Sequence, residues 1–233
     1  MTDSNQLVTG HGRYPGRVPT LDLANTSVFL DFDGTISRAD VGVHLLERLG
    51  KPGWKAIDAE YDAGGIGSRI CLLDEWDLLP HDADLLRSVA HEVAIDPGLD
   101  ELVEGLVSAH AEVTVLSDGF GFYAQDACAH LSVPVLTNAV DWESGSLSFP
   151  NEDRCCACSS CGTCKQAPVK DALRRGRTTV VVGDGTSDRK AALLADVVFA
   201  KSSLSEWCTM NGVEHQRFDT LADVRSALLS VPL

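Results

Sequence analysis

Ser27-Val28-Phe29-Leu30-Asp31-Phe32-Asp33-Gly34-Thr35 passes from apolar to acidic within one short stretch. Val28-Phe29-Leu30 reads as a buried strand, and Gly34 as the sharp turn that ends it. Two carboxylates one residue apart at a strand end repel each other unless a cation sits between them. In open α/β sheets the carboxyl edge of the strands is where ligands bind. Taken alone, the stretch reads as a solvated acidic turn.

Two further strand ends change that reading. Val113-Thr114-Val115-Leu116 runs into Ser117-Asp118-Gly119, and Thr178–Val182 runs into Gly183-Asp184-Gly185-Thr186-Ser187-Asp188. In a parallel sheet these ends share one edge, so residues far apart in sequence converge there. Asp31, Asp33, Asp184 and Asp188 together suit a hard divalent cation with oxygen ligands, Mg²⁺ above all. Lys165 and the turn amides after Gly34 and Ser117 offer partners for the oxygens of an anion, and the glycines let backbone approach it. The set fits phosphoryl transfer. One carboxylate attacks phosphorus, a second moves protons, and a metal offsets the repulsion between two anions.

Outward from these strands, the pattern alternates strand and helix. Helices are expected at about 99–109, 121–131, 167–174, 189–195, 204–210 and 221–229, with strands at 133–136 and 197–200 and a hairpin at 142–149 turning at Ser144-Gly145. Continuous apolar strands alternating with helices specify an α/β, Rossmann-like parallel sheet with helices on both faces. Residues 38–95 hold no strand pattern. Val41, Leu45, Leu46 and Leu49, then Ile70, Leu73 and Trp76, then Leu85, Leu86 and Val89 recur at helical spacing, which predicts a small helical unit inserted after the first strand. The expected organisation is a flexible leader at 1–26, a core at 27–37 and 96–233, the insert at 38–95, and a cysteine-rich loop at 150–165 within the core.

The chain has 233 residues, 44% of them hydrophobic, enough for one large domain. Its net charge of -15 disfavours a nucleic-acid or anionic-membrane surface, which needs clustered cations, but leaves room for one small phosphate ester held by a metal. No apolar run reaches the roughly 18 residues a membrane span needs, and the start of the chain has no signal-peptide core. A cytoplasmic monomer or homodimer acting on a small molecule is expected.

Five of the eight cysteines fall between Cys155 and Cys164. Cys155, Cys158, Cys161 and Cys164 are evenly spaced, which leaves three readings open: a structural Zn²⁺, a local disulfide or redox pair, or unligated thiols. Each places the cluster beside Lys165.

Asp31-Phe32-Asp33-Gly34-Thr35, a serine at the second strand end, a later lysine, and Gly183-Asp184-Gly185 with Asp188 resemble the four motifs of the haloacid dehalogenase superfamily, in order along residues 28 to about 200. The resemblance implies an aspartyl-phosphate phosphatase with Asp31 as nucleophile and Asp33 as general acid and base. It further implies Thr35, Ser117 and Lys165 on the phosphoryl group, and a Mg²⁺ held by Asp31, the Asp33 main-chain carbonyl and Asp184, with Asp188 supporting. Asp118, Gly119 and Asp40 become candidate substrate neighbours, and the insert a cap of the phosphoserine-phosphatase-like kind. Cys161-Gly162-Thr163-Cys164-Lys165 and Ala195–Ala200 resemble the methionine-salvage branch, which implies a keto or enol sugar phosphate. Phosphoserine, phosphocholine and phosphoethanolamine phosphatases, or a non-catalytic phospho-ligand-binding relative, are the alternatives. Ser117-Asp118-Gly119 departs from the Ser-Gly-Gly of the salvage pattern.

Overall fold

The computed structural model describes residues 20–151 and 160–229. Strand β1 (Thr26–Asp31) is buried along its whole length, as its apolar sequence requires, and lies at the centre of a six-stranded sheet. It pairs in parallel with β2 (Glu112–Leu116) on one side and β6 (Thr178–Gly183) on the other. β3 (Val135–Leu136) extends the sheet beyond β2, and β7 (Val197–Ala200) and β8 (Gln216–Arg217) extend it beyond β6. The chain therefore leaves β1 in one direction and later returns on its other side. A crevice opens at such a reversal, at the carboxyl ends of the strands. Asp31 ends β1, Ser117 follows β2 and Asp184 follows β6, so all three stand at that crevice.

Helices α5 (Leu99–Ser108), α6 (Phe122–Cys128), α7 (Gln166–Arg174), α8 (Arg189–Ala192), α9 (Ser202–Met210) and α10 (Leu221–Leu229) surround the sheet. Leu102, Leu106, Val115, Val180, Val182 and Leu221 form part of the main core. Phe29, Val169 and Val181 form a second cluster on the other face of the sheet. Between β1 and β2 lie four helices: α1 (Val41–Leu49), α2 (Trp54–Asp62), α3 (Ser68–Trp76) and α4 (Ala83–Ala90). Their entry and exit segments pair with each other, Arg38 N to Ala94 O at 2.8 Å and Asp96 N to Ile36 O at 2.8 Å, and form a neck. No helix among the described residues is long and apolar enough to cross a membrane.

Several expected boundaries shift. The hairpin begins earlier, as β4 (Ala139–Asp141) and β5 (Ser146–Ser148), with Gly145 left-handed at φ 69° in its turn. The helices expected at 121–131 and 189–195 are shorter, and β8 carried no apolar run to announce it. In α3 the buried side is Ser68, Cys71, Leu72, Glu75 and Trp76, whereas Ile70 and Leu73 are exposed. Apolar spacing alone misplaced this face because the helix borders a polar cavity. Leu85 is likewise exposed, while Leu86 and Val89 of the same turn are buried.

Candidate active site

The chain after β1 makes a wide turn over Phe32–Ile36, closed by Ser37 N donating to Phe32 O at 2.9 Å. Gly34 sits in it at φ 70°, a conformation that favours glycine, and a Cβ there would collide with the Asp184 carboxylate. The turn throws Asp31 and Asp33 to different neighbours. The buried Asp31 carboxylate accepts from the Lys165 ammonium and, at 3.4 Å, from the Thr35 hydroxyl. Thr35 is itself fully buried, so it steadies Asp31.

Lys165 precedes α7 and is 5% exposed. Its ammonium also donates to Ser187 Oγ and Asp188 Oδ1, each at 2.8 Å. Burial alone would lower its pKa, but the charges of Asp188 and Asp31 outweigh it and hold the ammonium protonated. Asp188 Oδ2 accepts from the backbone N–H of Asp184 at 3.1 Å and of Gly185 at 3.2 Å. Asp188 thus braces both the lysine and the loop that carries Asp184.

Oxygens of Asp31, Asp184 and Asp188 lie within 4.8 Å of one another. Burial raises the pKa of Asp31, Asp188 and Asp184 raise it further, and Lys165 opposes them. Asp184 is pushed up to about 6, by burial first and Asp188 second. One ammonium serves three carboxylates, so a hard divalent cation would remove the deficit of positive charge. The all-oxygen donor set fits Mg²⁺.

Asp33 turns away from this cluster. Its Oδ1 accepts from Val41 N at 3.0 Å, and its Oδ2 from the Tyr123 hydroxyl at 3.2 Å and Ser117 Oγ at 3.3 Å. Burial first, then the Asp40 charge, pushes its pKa up to about 8. It is a carboxyl able to hold a proton near neutrality. Ser117 is fully buried between Asp33 and Gly119, whose N–H donates to it at 3.2 Å. Gly119 passes so close to Tyr123 that a Cβ would strike its hydroxyl.

A cavity of about 290 Å³ joins these groups to the inserted helices. Asp118 lines it, but its carboxylate is already held by Ser68 Oγ at 2.5 Å, Thr163 N at 2.6 Å and Asn138 Nδ2 at 3.4 Å. It thereby ties α3 to the segment before Lys165. Asp40 caps α1 through Val43 N at 2.8 Å and also borders the cavity. Tyr123, Ser68 and Glu75 are site neighbours that sequence reasoning missed. Glu75 was detectable: with Ser68, Cys71 and Leu72 it completes a mostly polar helical face. Arg69 bonds the Cys161 carbonyl at 3.4 Å and lies over the Phe149 ring. Cys155 and Cys158 lie outside the described residues. Cys164 is buried next to Lys165, and Cys161 lies with its sulfur 3.9 Å from the Lys190 ammonium.

No protein-family model matches the chain. It is similar to the 2-hydroxy-3-keto-5-methylthiopentenyl-1-phosphate phosphatase of Brevibacillus brevis, 28% identical over 212 residues that cover 88% of this chain and 95% of the relative. Among solved structures it resembles a haloacid-dehalogenase-family hydrolase of Salmonella enterica serovar Typhi, with TM-score 0.69 and 16% identity over 90% of this chain and 72% of the other. It also resembles a phospho-aspartyl intermediate analogue of phosphoserine phosphatase, with TM-score 0.63 and 19% identity over 86% of this chain and 96% of the other. The fold is the one these two structures share.

Proposed function

We propose that this chain, a relative of the haloacid dehalogenase phosphatases, hydrolyses a small phosphomonoester through an aspartyl-phosphate on Asp31. The observation that carries the reading is the division of labour at the end of β1. Asp31 faces Lys165 and the Asp184 cluster, while Asp33, two residues on, is held apart by Tyr123, Ser117 and Val41 N.

In the first step an Asp31 oxygen forms a bond to phosphorus, the ester P–O bond breaks, and Asp33 gives its proton to the departing alcohol oxygen. In the second, Asp33 takes a proton from water, the water oxygen bonds to phosphorus, and the Asp31–phosphorus bond breaks to release inorganic phosphate. Lys165 holds Asp31 in line and offsets the charge of the phosphoryl oxygens. Asp31, Asp184 and the Asp33 carbonyl would hold Mg²⁺, with Asp188 bracing the set. When bound, the ion supplies electrostatic relief between the anionic nucleophile and the anionic ester. The inserted helices act as a cap that keeps bulk water from the phosphoenzyme.

A binder without catalysis would have no use for a second carboxyl wired to two hydroxyls beside the nucleophile. The test is hydrolysis of a phosphomonoester panel with and without Mg²⁺, comparing wild type with Asp31→Asn. Activity that needs the metal and is lost in the variant is expected. Activity retained by Asp31→Asn would sink the mechanism.

A further inference from the structure

Asp118 lies between two residues of the site. Ser117, before it, donates to Asp33, and Gly119, after it, passes against Tyr123. Its own carboxylate enters a seam where three segments far apart in sequence meet. Oδ2 accepts from the hydroxyl of Ser68, the first residue of α3, and Oδ1 accepts from Thr163 N, two residues before Lys165. Asn138 closes the ring. Its Nδ2 donates to Asp118 Oδ1 and, at 2.7 Å, to the Gly119 carbonyl, and its Oδ1 accepts from the Thr163 hydroxyl at 3.0 Å.

The seam is close-packed as well as bonded. Ser68, Asn138 and Thr163 are buried, and a Cβ on Gly162 would come within 2.6 Å of Asp118 Oδ1. Ser68 Oγ also accepts from Gly162 N at 3.1 Å, and Arg69 N donates to Ser160 O at 3.1 Å. The start of α3 therefore meets residues 160–163 along a line of bonds that includes the Asp118 carboxylate. Burial raises the pKa of Asp118, and the Ser68 and Thr163 bonds, then the Lys165 charge and Asn138, oppose it.

Lys165 takes its position from this seam. Its ammonium has to meet Asp31, Ser187 and Asp188 at once. Only Cys164, itself buried, separates it from the clamped Thr163. A main chain fixed that near leaves the lysine little freedom to leave Asp31.

We propose that Asp118 is a positioning residue, whose carboxylate couples the seating of the inserted helices to the alignment of Lys165 on Asp31. The proposal rests on the phosphatase reading. With α3 seated, Ser68 completes the set of donors on Asp118 and the segment before Lys165 is fixed. With α3 lifted to admit an ester, Asp118 and Gly162 N lose their Ser68 partner and that segment loosens. Lys165 then no longer holds Asp31 in line. The nucleophile is fully aligned only beneath the seated helices, where the phosphoenzyme is shielded from water.

The test reads the lysine first. Wild type, Asp118→Asn and Ser68→Ala are acetylated with trace acetic anhydride in the native state, and Lys165, Lys170 and Lys201 are compared by mass spectrometry of the peptides. Asp118→Asn keeps the shape and gives up one acceptor, and Ser68→Ala breaks the same link from the α3 side. Labelling of Lys165 is expected to rise about tenfold in both variants, because a buried amine reacts through local opening, while Lys170 and Lys201 keep their wild-type rates. The second arm is kinetics on any phosphomonoester that wild type hydrolyses. There kcat should fall about tenfold in both variants with KM near its wild-type value. The double variant should be no slower than the slower single one, since both changes break one link. An unchanged Lys165 rate, a rise in only one variant, or an equal rise at all three lysines overturns the proposal. So does an unchanged kcat, or a loss confined to KM, which direct contact between Asp118 and the substrate would give. If wild type hydrolyses no ester, the phosphatase reading fails, and the labelling alone then decides whether Asp118 and Ser68 hold Lys165 in place.

Discussion

Asp31 and Asp33 are two residues apart, and the side chains that hold them are different. Tyr123 makes much of that difference, because its hydroxyl donates to Asp33 while accepting from Phe120 N at 3.3 Å. Tyr123→Phe keeps the ring, which packs against Phe122 and Phe32, and removes both bonds. Turnover is expected to fall about tenfold, equivalent to about 1.4 kcal/mol of barrier. The orphaned Phe120 N–H should cost about 1–3 kcal/mol of stability, read from denaturant unfolding. Unchanged turnover would remove Tyr123 from the proton path. Asp31, Asp33 and Asp184 were legible in sequence because carboxylates beside glycines at strand ends form a pattern. Tyr123 was not, since nothing in Gly121-Phe122-Tyr123 says that a core aromatic on α6 reaches back to β1.

At the scale of elements, the sheet was legible because β1, β2 and β6 are apolar runs too short for helices, each closed by a turn. The edge strand β8 was not, since Gln216-Arg217 takes its pairing from β7 and not from its own side chains. The face of α3 was misread for a related reason: its inner side is dictated by a cavity that other elements enclose. The opposite end of the sheet gives a test of what holds these elements together. Glu112, opening β2, accepts from Arg175 at 2.8 and 2.7 Å and from Ser27 at 2.9 Å, which links β2, β1 and the end of α7. Those donors, the Arg175 bond foremost, lower its pKa to about 2. A depressed carboxylate contributes stability above its unfolded pKa and loses it as pH falls through the folded value. Glu112→Gln should therefore be less stable than wild type at pH 7 by about 0.5–1 kcal/mol, a modest figure because solvent screens the pair. The difference should close as the pH approaches about 2. A gap that widens on acidification would contradict the assignment.

Across the whole molecule, the inserted helices are fastened to the core at separate places. The neck pairs Arg38 with Ala94, and Trp76 Nε1 donates to Gly145 O at 2.7 Å on the hairpin. Ser68 bridges Asp118 and Gly162 N, the latter at 3.1 Å, so α3 is latched to the segment leading into Lys165. Ser68→Ala releases this latch. Hydrogen exchange should quicken at the start of α3 and around 160–163 while the amides of β1 and β6 keep their protection. Uniform change across the sheet, or none at the latch, would contradict a local fastening. Fastened in this way, the inserted helices stand over the sheet edge, where the proposed phosphoenzyme would be sheltered from water. The central claim is that the edge carries a covalent intermediate on one carboxylate. Acid quenching during turnover with Mg²⁺ and a hydrolysed ester, followed by mass spectrometry of the peptides, tests it directly. The account predicts one phosphoryl group, removable by hydroxylamine, on the peptide containing Asp31, and none in Asp31→Asn. A phosphoryl group on another residue, or turnover with no phosphopeptide trapped while Asp31→Asn stays active, would contradict it.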